Sequence, residues 1–542
     1  MNLKMLPLQS FLAKVDANPN AAYLHQPDSG VWTTYTLSET ASRAAKLASA
    51  LLANGCDKGD RISILSKNCA DWVIADLGIM MAGMVSVPIY ASAGESTISH
   101  VVSHSGAKIV LLGKLDESIA ADAALKDVPV VTLGGRIEEG RPSLDSWLEQ
   151  YEELKNIAQA EPEDLWTIVY TSGSTGVPKG VCLTYGNIRA TARDQQAAYY
   201  ESDDGKRALS YLPLAHVAER SCVEITSMYY DLEVFFNESL DTFMRDLQHA
   251  RVTQFVSVPR LWAKFQAQVL AQIDYDTLES LLSSDSGAEV SRSIREKLGF
   301  GHCKSFGSGT APIAPALLKW YTRIGIEIME GWGMTETSGV AAGNTPFEPE
   351  RLGSIGVPVN DVEMKLSEQG EILIRGEAIF TQYYKNATAM EEAFVDGWFR
   401  TGDRGDLQAN GAWRIIGRVK EQFKTAKGKY VAPAPIESLL LADPYIEQAC
   451  VSGSGQPQPF AIVVLVEGVS LEKEAMTSRF EQLLTEVNEQ LESHEHLSGV
   501  YIVSEPWTIE NERLTPTMKL KRDNIEASYA DIMGSVKGVI WQ

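Results

Sequence analysis

Between Ile168 and Gly180 the chain reads IVYTSGSTGVPKG. An apolar run is followed by four hydroxyls (Thr171, Ser172, Ser174, Thr175), three glycines (Gly173, Gly176, Gly180) and one cation, Lys179. Glycines let backbone N–H groups come close to phosphate oxygens, and hydroxyls add further donors. The lysine supplies a point charge. The spacing is not that of a P-loop: counted from Gly173, Pro178 occupies the second glycine position, and Gly180 stands where Ser or Thr is required. A flexible Ser/Gly turn is the plainer alternative. The density of donors directly after an apolar strand favours a triphosphate clamp.

This loop closely resembles the phosphate signature of the adenylate-forming superfamily, which includes acyl-CoA synthetases, peptide-synthetase adenylation domains and luciferases. Other segments resemble the same family in the same order. In EGWGMTET, Glu330 to Thr337, the resemblance places Glu330, Gly331, Trp332 and Gly333 around the adenine. There the Trp332 indole would stack, Thr335 would donate to a phosphate, and Glu336 would be an oxygen ligand for Mg²⁺, alongside Thr175. Gly309, Thr310 and Ala311 resemble a small-residue loop lining the adenine and the acyl tunnel. Asp403, in Thr401-Gly-Asp403, matches the ribose-binding carboxylate, with two acceptor oxygens for two hydroxyls. Arg418 resembles an arginine that reaches ribose or phosphate, Lys420 the hinge, and Lys427 with Gly428 a loop approaching CoA. Lys519, in TPTMKLKR, aligns with the catalytic lysine. His216, in YLPLAHVAER, together with Val258, Arg260 and Trp262, resembles the acyl-site lining of the long-chain fatty acyl-CoA synthetase branch, and His216 would contact the carboxylate or acyl phosphate. His494 and His496 read as surface residues.

These residues need a scaffold. Short β-rich runs (Arg61–Ser66, Val85–Tyr90, Lys108–Gly113, Pro129–Leu133, Thr167–Thr171, Gln254–Val258, Glu327–Glu330) alternate with amphipathic stretches such as Leu37–Ala53 and Leu261–Ile273. That alternation indicates parallel α/β layers to about residue 350. Trp72–Tyr90 is apolar enough to suggest a membrane span, but Asp76, Gly83 and Pro88 interrupt it, so it reads as a buried helix followed by a strand. From about 351 to 417 the texture is antiparallel: Val362–Leu366 pairs with Glu371–Arg375, and Asn410-Gly411 marks a hairpin. The expected fold class is α/β: a large N-terminal domain, residues 1–417, of two layered α/β subdomains plus a small β-barrel. A small mobile α+β domain, 418–542, follows, with a strand at Ala461–Val466 and a helix near Phe480–Leu497.

Of 542 residues, 44% are hydrophobic and 22% charged, which excludes disordered, collagen-like and coiled-coil chains. With 48 Lys and Arg against 71 Asp and Glu the formal net charge is −23, which argues against nucleic-acid binding. The cations concentrate at 418–429 and 519–522. Six cysteines without a C-x-x-C pair indicate a reducing compartment, and Met1–Lys14 lacks a signal-peptide pattern, so the expectation is a cytoplasmic protein, monomer or homodimer. It would have no transmembrane span and at most local, hydrophobic contact with a membrane.

The resemblance implies a two-step ligase using ATP, Mg²⁺ and CoA. A fatty acid of medium to long chain would be converted to acyl-AMP and then to the thioester. Two alternatives stay open: an acyl-AMP ligase serving a separate carrier protein, and a non-catalytic nucleotide-binding homologue.

Overall fold

The computed structural model describes residues 4–136, 138, 140–171, 177–194, 205–359, 361–443, 445–466, 472–509, 511–515 and 519–542. Ser172, Gly173, Ser174, Thr175 and Gly176 of the phosphate loop lie outside the described residues, as do Thr517 and Met518 before the C-terminal lysine.

A seven-stranded sheet carries the phosphate loop. Its spatial order is Gln382–Tyr383, Lys179–Thr184, Leu165–Thr171, Val85–Ile89, Arg61–Leu65, Ile109–Leu112 and Val130–Thr132. The five strands from Leu165–Thr171 onward are parallel, and Lys179–Thr184 runs antiparallel to both of its neighbours. The central strands are buried on both faces, which is why they read as continuous apolar runs. The helix Leu37–Ala53 starts at a capping box in which Thr36 accepts from the Glu39 N–H. It packs on the helix Ala70–Met81, where a side chain on Gly78 would come within 2.9 Å of the Ala44 carbonyl. Ala70–Met81 is buried on every side and leads to the strand Val85–Ile89, as the interrupted apolar stretch predicts. No helix among the described residues is long and apolar enough to cross a membrane.

A second subdomain combines the sheet Val31–Thr36, Ala22–Asp28, Leu232–Phe236, Lys206–Ser210 with the sheet Gln254–Ser257, Ser305–Ser308, Ile328–Met334, Gly339–Gly343, Val357–Pro358. The anticipated antiparallel unit follows as a five-stranded sheet built from Glu363–Leu366, Glu371–Arg375, Phe394–Val395, Trp398–Leu407 and Trp413–Arg418.

The C-terminal unit has cores of its own. Val431, Ile436, Val463, Phe480 and Val500 pack on one face of its four-stranded sheet, and Phe460, Ile462, Trp507 and Ile525 on the other. Its long helix is Lys473–Asn488, displaced toward the N-terminus from the expected Phe480–Leu497. Met476, Phe480, Leu483 and Val487 make the buried stripe. Asn488 then ends the helix, because its side chain bonds both the N–H and the carbonyl of Leu497 and turns the chain back.

Candidate active site

Asp403 is the best-defined member of the site. It lies in the strand Trp398–Leu407, directly opposite Arg418 on Trp413–Arg418, so register alone makes the fifteen-residue spacing a contact. Nη1 of Arg418 donates to Oδ1 of Asp403 at 2.7 Å, and the indole Nε1 of Trp332 donates to Oδ2 at 3.0 Å. The aspartate side chain is 7% exposed and the arginine 46%. Each carboxylate oxygen retains a second lone-pair site, which leaves room for a pair of ligand hydroxyls.

Glu336 follows Thr335 in a short 3₁₀ turn after the strand Ile328–Met334. Tyr383 Oη donates to its Oε1 at 2.9 Å, and among the described residues the other oxygen has no hydrogen-bond partner. The Lys179 ammonium lies 5.4 Å from the centre of the same tyrosine ring. Tyr383 thus touches both the predicted metal ligand and the predicted phosphate cation. Burial and the Glu336 charge hold the phenol protonated, raising its pKa. No motif marks this tyrosine in the sequence.

The small-residue requirement has a steric basis. A side chain on Gly333 would meet the Gly339 carbonyl at 1.8 Å, and one on Gly309 would meet the Gly331 carbonyl at 3.1 Å. Thr310, at φ +68°, holds a left-handed conformation rare for a non-glycine residue. Ala311 follows it in the same loop. The buried carboxyl of Glu330 accepts the Gly353 N–H at 2.9 Å, and burial raises its pKa to about 8.

His216 caps a short helical turn, its Nδ1 accepting the Ala218 N–H at 3.1 Å. Burial, then the charge of Lys519, lowers its pKa to about 4. The ring is therefore neutral at pH 7, and with Nδ1 accepting, the proton sits on Nε2. His216 is thus an N–H donor, not a base. Three residues on, Glu219 accepts from Ser210 Oγ at 2.7 Å and the Tyr211 N–H at 3.1 Å.

Lys519 comes from the other unit. Solvent reaches it, yet protein crowds it on most sides, and that crowding lowers its pKa, with Arg418 adding to the effect. Asp403, Glu336 and Glu421 act in the opposite direction. Its loop is fixed at both ends. The Thr515 N–H bonds the Lys519 carbonyl at 2.8 Å, and Arg522 forms a bidentate pair with buried Glu437. Lys420 follows Val419, whose N–H reaches the Gly402 carbonyl at 2.8 Å. Gly428, at φ +77°, turns the hairpin after Lys427.

The expected tunnel residues diverge. Val258 sits at the start of the helix Pro259–Leu270. Trp262 is 0% exposed within an aromatic core of Phe255, Phe265, Phe300, Phe306 and Tyr321. Arg260 turns outward and pairs with Glu447 of the C-terminal unit. The one-letter run VPRLW does not show which of its residues face inward, since it straddles a helix start. Cavities of about 560 and 670 Å³ open elsewhere, beside Cys56 and Lys108 and beside Tyr35 and Met81. Neither is lined by a residue of this cleft.

Among the described residues no three His, Cys, Asp or Glu side chains are grouped to hold a metal. A single free carboxylate oxygen on Glu336 fits an ion that keeps most of its ligands as water and phosphate, as Mg²⁺ does.

The pattern of AMP-binding enzymes matches residues 11–384, and that of the AMP-binding enzyme C-terminal domain matches 420–536. The chain is 30% identical to the long-chain-fatty-acid–CoA ligase FadD15 of Mycobacterium tuberculosis, over 92% of each chain. It is also 30% identical to the peroxisomal long chain acyl-CoA synthetase 7 of Arabidopsis thaliana, over 93% of this chain and 81% of that one. In fold it is similar to the anthranilate CoA ligase AuaEII in complex with anthranoyl-AMP, with a TM-score of 0.81 at 19% identity, covering 98% of this chain and 99% of the other. The match runs through both units on either side of the cleft, and on that ground this chain belongs to the AMP-binding enzyme family.

Proposed function

We propose that the protein is an AMP-forming acid–thiol ligase that activates a medium- to long-chain fatty acid with ATP and transfers the acyl group to CoA. The observation that carries this reading is the convergence of Asp403 and Glu336 from the N-terminal unit, Arg418 at the boundary and Lys519 from the C-terminal unit on a single cleft. The named relatives supply the substrate class.

In the first step a carboxylate oxygen attacks the α-phosphorus of ATP, the bond to pyrophosphate breaks, and acyl-AMP forms. The acid is already ionised at pH 7 and needs no base. Positioning and charge neutralisation do most of the work. Asp403 holds the ribose, Trp332 lies beside the base, and Arg418 and Lys519 offset charge gathering around the α-phosphate. Neutral His216 donates its Nε2–H to an oxygen of the acid or the acyl phosphate. Ser172, Ser174, Thr175 and Lys179 hold the outer phosphates. Glu336, with Thr175, would hold Mg²⁺, which when bound neutralises phosphate charge. In the second step the CoA thiolate attacks the acyl carbonyl and the bond to AMP breaks. Rotation at Lys420 would withdraw Lys519 and bring in the Lys427–Gly428 turn, so one cleft serves both steps in turn.

Pyrophosphate and AMP release across a series of fatty acids of increasing length, with and without CoA, tests the proposal. Release that peaks with longer acids, and AMP release that depends on CoA, are expected. Acyl-AMP accumulating regardless of CoA would point instead to a carrier protein as acceptor.

A further inference from the structure

The helix Glu95–Ser105 presents two histidines one turn apart, His100 and His104, stacked at 5.2 Å between ring centres. Neither belongs to any motif of the site. Each bonds a different end of the hairpin that carries the phosphate loop. His104 Nδ1 bonds the hydroxyl of Tyr170 at 2.7 Å, in the strand running into the loop. His100 Nε2 lies 3.1 Å from the carbonyl of Pro178, the residue before Lys179 on the way out. A carbonyl only accepts, so His100 carries its proton on Nε2.

The helix itself is anchored. Arg61 Nε donates to the Ser105 carbonyl at 2.8 Å and its Nη2 to that of Gly106 at 3.2 Å. Lys385 Nζ donates to the His104 carbonyl at 2.9 Å, and Tyr384 Oη to that of Ser105 at 3.3 Å. Cations at a helix C-terminus complement its dipole. Tyr384 also ties this end to the sheet, its N–H reaching the Gly180 carbonyl at 2.7 Å. A fixed helix thus bonds both sides of a hairpin whose own ladder closes at Thr171 and Lys179. Packing alone would require neither the Nε2 donor nor a bond on each side.

We propose that His100 and His104 are positioning residues that hold the hairpin, whose strands already pair at Thr171 and Lys179, in a fixed place against the helix Glu95–Ser105, and thereby set the affinity for the outer phosphates of ATP. The proposal rests on the ATP-dependent reading above. Its signature is selectivity: AMP lacks the outer phosphates and should not depend on this clamp.

Calorimetric titration of the full chain with Mg²⁺–ATP and with AMP provides the test. His100→Leu is expected to weaken ATP binding about tenfold, the loss of roughly one hydrogen bond, and leave AMP within about twofold. His100→Gln, which keeps a donor at the same reach, should restore most ATP affinity. Tyr170→Phe and His104→Phe should each weaken ATP, and the double variant no more than either alone. These two keep the ring shapes and carry the test if His100→Leu folds poorly. Unchanged ATP affinity, or an equal loss for AMP, overturns the proposal. Absence of ATP–pyrophosphate exchange in the unaltered protein would instead count against the ligase reading, while the binding titrations still decide the clamp.

Discussion

Two clusters in this protein use the same three residue types for opposite ends. In each, an aspartate accepts from an arginine guanidinium and from a tryptophan indole N–H. In the first, Arg220 Nη2 donates to Asp76 Oδ2 at 2.6 Å and Trp166 Nε1 to the same oxygen at 3.3 Å. Arg220 also bonds Glu224 and Thr167 and lies 3.8 Å from the Trp166 ring centre. In the second, Arg418 and Trp332 share Asp403. The first cluster is sealed, with Arg220 and Asp76 both at 0% side-chain exposure, whereas Arg418 is 46% exposed. A sealed charge cannot exchange partners, and its value is to fix what it joins. Arg220 ties the segment holding His216 to the strand Leu165–Thr171 behind the phosphate loop. Burial, with Asp76 beside it, raises Glu224 well above the usual carboxylate range, so the cluster favours one anion for its one cation. The open cluster has a wet side from which a ligand can enter.

Breaking the sealed cluster should have the largest effect on stability. Arg220→Ala strands the Asp76 anion without its cation, takes a hydrogen-bond donor from Glu224 and should cost about 3–5 kcal/mol, read by denaturant unfolding. A loss below about 1 kcal/mol would mean that Arg220 is no structural anchor. Asp403→Ala should reverse the pattern: a small change in stability and at least about a tenfold rise in the ATP KM, because charged hydrogen bonds to the ribose are lost. An unchanged KM removes Asp403 from the nucleotide site. Tyr383→Phe deletes one hydroxyl from Glu336. The expected result is a few-fold higher Mg²⁺ requirement with little change in unfolding midpoint, since one hydrogen bond is at stake. The smallest effect concerns His216. With its pKa lowered to about 4, its neutral form is complete above the ordinary value of 6.5 and is lost only as pH falls through about 4. Its imidazole NMR signal should stay in the neutral position from pH 8 down to about pH 5. A midpoint near 6.5 would contradict the donor role.

The bond from Trp332 to Asp403 is invisible in the sequence, whereas Asp403 and Arg418 themselves were readable through the family resemblance. Also readable were the strand before the phosphate loop, the buried helix Ala70–Met81 and the helix Leu37–Ala53, each set by local periodicity or a cap. The sealed cluster was not, since Arg220 and Asp76 are 144 residues apart and meet only through the sheet. Asp76 looked like a mere interruption of an apolar run. Tyr383 was missed for the same reason, its partner Glu336 being 47 residues away. The resemblance places Arg260 at the acyl tunnel, but the direction of its side chain depends on the phase of a helix start, and its partner Glu447 belongs to another unit.

In the proposed function, Lys519, delivered by the C-terminal unit, serves acyl-AMP formation and not thioester formation. Lys519→Ala should therefore abolish acid-dependent ATP–pyrophosphate exchange while thioester formation from supplied acyl-AMP and CoA proceeds within a few-fold of the unaltered rate. Equal loss of both half-reactions, or retention of both, would contradict it.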